Sequence, residues 1–188
     1  FFNMEYPKDN QWFHGLKVSE HTEFDVHRNA YPVIMFDFKE LSVDSIEVFD
    51  NQFVLAMSNL YSKYRYILES GTVGEEDKAY FRDVLGKRMG IAELRKALAK
   101  LAMMLHIRHG TKVIILLDEY DNPIHNSFGR SHQEHILHVM RDFLSSALKN
   151  RESFLKSGVI TGSLPEIINT SLWHEILDVG DSCQRHPF

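Results

Sequence analysis

The first apolar run of the chain is YPVIMFDFK, Tyr31 to Lys39, in which Val33, Ile34, Met35 and Phe36 are contiguous. A short uninterrupted run of this kind fits a strand buried on both faces of a sheet. From Val43 to Glu69 the pattern changes: Ile46, Phe49, Phe53, Met57, Leu60, Tyr64 and Ile67 recur at intervals of three and four. That is the period of an amphipathic helix. Ser42 or Asp44 is its expected cap, and Gly71 lies just past its end. A shorter helix is expected over Glu75 to Leu85. A long one follows from Ile91 to His109, along Leu94, Leu98, Leu101, Met104 and Leu105, with Gly110 suited to close it in the left-handed conformation. KVIILLD, Lys112 to Asp118, is the clearest strand, its apolar residues giving way abruptly to Asp118, Glu119 and Asp121. A further helix fits Gln133 to Lys149, with Ile136, Leu137, Met140, Phe143, Leu144 and Leu148 inward. A last strand is expected at Phe154 to Thr161. Strands alternating with helices predict right-handed crossovers and a mainly parallel sheet with helices on both faces, a three-layer α/β fold.

Before the first strand, residues 1–29 read as an irregular lead-in whose aromatics, Phe2, Trp12, Phe13 and Phe24 among them, anchor it to a surface. Residues 30–172 then form the core and 173–188 a divergent tail. The composition is that of an ordinary globular protein, with 44% hydrophobic and 25% charged residues. A net charge of −5 argues against a general polyanion-binding surface. The tyrosines Tyr61, Tyr64 and Tyr66 therefore read as packing residues and leave nucleic-acid binding undecided. Cys183 is the single cysteine, so no internal disulfide forms. No apolar run approaches the ~20 residues that span a bilayer. The N-terminus lacks the pattern of a signal peptide. An intracellular, cytoplasmic protein is the default expectation. The first residue is Phe rather than Met, which suggests that an upstream part is missing.

The segment with chemical content is VIILLDEYDNP, Val113 to Pro123. Ligands of open parallel sheets bind beyond the carboxyl ends of the strands, and this strand delivers its carboxylates there. One carboxylate of Asp118–Glu119 suits a magnesium ion, which takes oxygen ligands and keeps several waters. The other suits polarisation of an attacking water. Apolar residues followed by Asp-Glu form the Walker B pattern, although buried strands also end in acidic residues that merely cap the next loop.

Several segments together extend the likeness. WFHGLKV (Trp12 to Val18), YPVIMFDFK, VIILLDEYDNPI, FLSSALK (Phe143 to Lys149) and GVITG (Gly158 to Gly162) occur in an order that resembles the AAA-ATPase-like family of P-loop NTPases, often joined to a nuclease-like domain. The resemblance implies a P-loop NTPase-like sheet, ATP and Mg2+ as cofactors, and roles for individual positions. Asp118 matches the aspartate that supports the metal, and Glu119 the glutamate that activates water. Tyr120, Asp121 and Pro123 match the family's extension of the motif, with Asp121 expected beside the nucleotide. Thr161 sits where a polar residue would approach the terminal phosphate, or where a hydroxyl simply ends a strand.

Two departures qualify the likeness. No G-x-x-x-x-G-K-[ST] occurs, so the loop whose amides and lysine cradle phosphates is not among these residues. The expected fold is thus incomplete, lacking the first strand and the phosphate-binding helix. An exposed sheet edge is expected to promote self-association. After Thr161-Gly162 the family's arginine is replaced by Pro165. ATP binding and hydrolysis are accordingly expected of the complete domain rather than of this chain alone. The alternatives are a degenerate pseudo-ATPase serving as an interaction scaffold and, less favoured, a metal-dependent phosphoesterase built from Asp118, Glu119, Asp121 and His125.

Overall fold

The computed structural model describes residues 1–149 and 151–162. Three parallel strands, β1 (Val33–Asp37), β2 (Val113–Asp118) and β3 (Leu155–Ile160), form one sheet in the order β1-β2-β3. The register sets Ile34 beside Ile115, Met35 beside Leu116 and Asp37 beside Asp118. It also sets Leu116 beside Val159 and Leu117 beside Ile160. The helices are α1 (Phe24–His27), α2 (Ile46–Ser62), α3 (Glu75–Leu85), α4 (Ile91–Leu94), α5 (Ala97–His109), α6 (Asn122–Ser127) and α7 (Gln133–Leu148). The expected α/β alternation is present; α6, and the short α1 within the lead-in read as irregular, are additions that the periodicity did not announce.

Local chemistry explains where the elements depart from the sequence pattern. Ser45, not Ser42 or Asp44, caps α2, its side chain accepting from the Val48 amide at 3.1 Å. Ser42 instead donates to Asp44 at 2.8 Å. The predicted helix through Glu69 ends at Ser62 and continues as a 3-10 turn, Arg65–Glu69. There the Tyr64 hydroxyl donates to the Val33 carbonyl at 2.9 Å and ties the segment to β1. The predicted helix from Ile91 is likewise divided at Arg95–Lys96. Ser146 of α7 donates to the Arg95 carbonyl at 2.7 Å, and the Arg95 guanidinium meets Asp142 at 2.7 Å. A carbonyl engaged by another helix gives the backbone an alternative to its own ladder. Gly110 closes α5 with φ +68°, as its position predicts.

The core lies on one side of the sheet. Ile34, Phe36, Ile115 and Leu117 pack with Phe49, Phe53, Leu101, Phe143 and Leu144 from α2, α5 and α7. The Phe53 and Phe143 rings meet edge to face at 5.1 Å, an arrangement that adds to their burial. On the other side, Val33, Met35, Leu116 and Val159 form a second apolar row. Met35 is 53% exposed and Val159 47% exposed. Among the described residues, helices pack on one face, so the expectation of helices on both faces is met on one. The lead-in partly borders the open face: Asn3 bridges to Tyr31, and Asn3, Glu5 and Tyr6 line a hollow with Val33, Met35, Tyr64 and Leu116. Phe1 holds the lead-in together through ring contacts with Phe2, Phe13 and Phe24.

Candidate functional site

At the carboxyl end of the sheet the apolar rows give way to oxygen. Asp37 ends β1, Asp118 ends β2, and Thr161 directly follows β3. Asp37 and Asp118 are register partners, so their side chains leave the same face of adjacent strands. Thr161 continues the β2–β3 pairing: its amide donates to the Leu117 carbonyl at 2.8 Å. Its hydroxyl bonds the Asp118 carboxylate through Oδ1. Asp118, of which the sequence predicts metal binding, and Thr161, expected beside the nucleotide, are therefore in direct contact.

Asp118 Oδ1 also accepts from the Glu119 amide at 3.1 Å. Glu119 itself has φ +52°, the left-handed region that a non-glycine residue enters at a cost of about 1–2 kcal/mol. This turn takes Glu119 out of the strand's alternation, so adjacent acidic residues do not simply occupy opposite sheet faces. The Asn122 amide closes the turn by donating to the Glu119 carbonyl at 3.0 Å. Sparsely populated backbone conformations persist only where the surroundings enforce them.

The enforcing contacts are specific. Asn122 Nδ2 donates to the Lys39 carbonyl at 3.0 Å, tying the loop to the chain leaving β1. Asn126 Nδ2 donates to Asn122 Oδ1 at 2.8 Å and fixes that amide. Pro123 stands in the first turn of α6, where a missing N–H is tolerated. Tyr120 and Asp121 are buried under the loop, 5% and 3% exposed. Burial, reinforced by the neighbouring Asp121 charge, raises the Tyr120 phenol well above its ordinary pKa. Gly162 lies against both: a Cβ there would come within 2.6 Å of Asp121 Oδ1 and of the Tyr120 ring.

The structure thus brings Asp118 and Thr161 together, sets Glu119 in the adjoining turn, and buries Asp121 beneath it. His125 is exposed on α6. Among the described residues no group of three or more His, Cys, Asp and Glu could hold a metal ion. The Asp118, Glu119, Asp121 and His125 set of the phosphoesterase alternative is therefore not assembled as a cage. Pro165 lies outside the described residues. Sequence reasoning missed Asp37, Asn122 and Gly162. A signal for Asp37 was present, because an Asp ends the first apolar run just as one ends the second, but only the register aligns them.

No helix among the described residues is long and apolar enough to cross a membrane. The profile of a family described as a predicted AAA-ATPase matches residues 1–172. No curated protein and no solved structure matches the chain.

Proposed function

Because the chain belongs to the AAA-ATPase-like family, we propose that the carboxyl end of its sheet is the acidic half of an ATP-hydrolysing site. The observation that carries this reading is the Asp118 carboxylate at the end of β2, held by the Thr161 hydroxyl and followed by Glu119 in an enforced turn. The donor set suits Mg2+, which binds through one or two carboxylates and completes its shell with water and phosphate oxygens. When bound there, the ion would neutralise charge on the phosphates of ATP. Asp118 would hold the ion, its carboxylate fixed by the Thr161 hydroxyl. Glu119 accepts a proton from, or orients, the attacking water. Asp121, buried against Gly162, supports the loop that carries them.

Positioning of the phosphates belongs to a G-x-x-x-x-G-K-[ST] loop, which does not occur in these 188 residues. The chain alone is therefore expected to bind MgATP weakly and not to turn it over. Calorimetry with ATP, with and without Mg2+, tests this on the chain and on Asp118→Ala. Magnesium-dependent heat that disappears in the variant supports the reading. Identical titrations of the two proteins overturn it, and turnover by the chain alone that Glu119→Gln abolishes overturns the assignment of positioning to a separate loop.

The same reading includes self-association. Among the described residues β3 pairs with β2 alone, so no described strand covers its other edge. Such an edge is a template for pairing with another strand. Sedimentation at micromolar concentration is expected to show species above the monomer. A cooperative, concentration-independent melt of a monomer contradicts it.

A further inference from the structure

We infer that Asp37 is a second carboxylate for the divalent cation of this site, an inference that rests on the proposed role of Asp118. The two residues are direct register partners on adjacent parallel strands, about 4.8 Å apart in the pairing direction. Both lie at the carboxyl end of the sheet and on the same face, with Thr161 completing the row. The Lys39 amide donates to Asp37 Oδ1 at 2.8 Å, which fixes the carboxylate while its second oxygen remains for another partner.

Like charges placed directly opposite one another in a sheet are destabilising. Among the described residues no Lys, Arg or His forms an ion pair with Asp37 or Asp118. Thr161 and the two amides that reach this pair supply neutral hydrogen bonds, not a compensating charge. A divalent cation between the carboxylates would convert the repulsion into shared coordination, and two carboxylates remain within what Mg2+ accepts. Asp37 thus raises the affinity of the site by charge, while Asp118 sets its position.

The test is Mn2+ binding, read from water-proton relaxation at low ionic strength, on the chain and on Asp37→Asn and Asp118→Asn. Asparagine retains the oxygen that accepts from Lys39, so the turn survives. The inference predicts that Asp37→Asn weakens Mn2+ binding roughly tenfold. It also predicts a higher melting temperature for Asp37→Asn without metal and a smaller rise on adding Mn2+. A purely structural role for Asp37 gives no change in metal affinity. Unchanged affinity in Asp37→Asn, with loss in Asp118→Asn, overturns the inference and leaves the Asp118 reading standing. Wild-type affinity in Asp118→Asn, or no binding by the wild-type chain, overturns both.

Discussion

The two faces of the sheet are built from alternate residues of the same strands, yet they serve different ends. On one, Ile34, Phe36, Ile115 and Leu117 are sealed beneath α2, α5 and α7. On the other, Val33, Met35, Leu116 and Val159 form an apolar row with open positions, and that row ends in Asp37, Asp118 and Thr161. The first face supplies the rigidity that holds the strand ends in register. The second presents chemistry at those ends. A site on strand termini is positioned by packing that its own side chains do not share, so stability and function are separable here by choosing the face.

The largest effect is expected on the sealed face. Phe53→Ala removes a fully buried ring and should cost about 3–5 kcal/mol in urea unfolding. Met35→Ala, on the open face and half exposed, should stay within about 1 kcal/mol. Equal losses would show that the open face is covered in solution.

Gly162→Ala comes next. Its methyl group would enter the space of Asp121 and Tyr120, with an expected cost of about 1–3 kcal/mol measured the same way. Mn2+ binding should weaken with it, because the loop that carries Asp118 and Glu119 must shift.

Glu119→Gly should act in the opposite direction. Relief of the left-handed conformation outweighs glycine's extra chain entropy, giving a gain of about 0.5–1 kcal/mol together with loss of any hydrolysis by a completed site. A stability loss instead would mean that the Glu119 side chain contributes more than its backbone costs.

The smallest effect concerns His109 at the end of α5, whose ring meets the Tyr66 hydroxyl at 3.1 Å. Burial, then the Arg108 charge, lowers its pKa from the ordinary 6.5, with Glu5 of the lead-in opposing. A depressed histidine pKa means that the unfolded chain binds more protons in the intervening window. This contribution to stability is therefore complete above pH 6.5 and is lost as pH falls towards the folded value. His109→Gln should flatten the slope of stability against pH in that window.

Much of this architecture was legible in the residues. β1 lies within the expected strand Tyr31–Lys39, β2 ends at Asp118 as expected, and α3 coincides with its expected span, Glu75–Leu85. The long helices were divided by contacts from distant segments, Tyr64 to Val33 and Ser146 to Arg95, which no local pattern encodes. The continuous run Val33 to Phe36 suggested burial on both faces, whereas β1 alternates, with Ile34 and Phe36 buried and Met35 exposed, a period of two that uniformly apolar residues hide. Asp118 and Glu119 stand out in the sequence by their place after an apolar run, and Thr161 through the resemblance to the family. Asp37 does not, since its meaning comes from a partner some eighty residues away. Asn122 and Gly162 act through a carbonyl and through the absence of a Cβ, neither of which leaves a distinctive residue pattern.

The acidic row can be located in a single measurement. Paramagnetic broadening of backbone amide resonances by substoichiometric Mn2+ with ATP would map the cation directly onto the chain. Broadening centred on Asp37, Asp118, Glu119 and Thr161, and absent in Asp118→Asn, is the predicted result. Broadening centred elsewhere, for instance on Glu75, Glu76 and Asp77 at the start of α3, would contradict the assignment of the strand ends as the nucleotide-facing site.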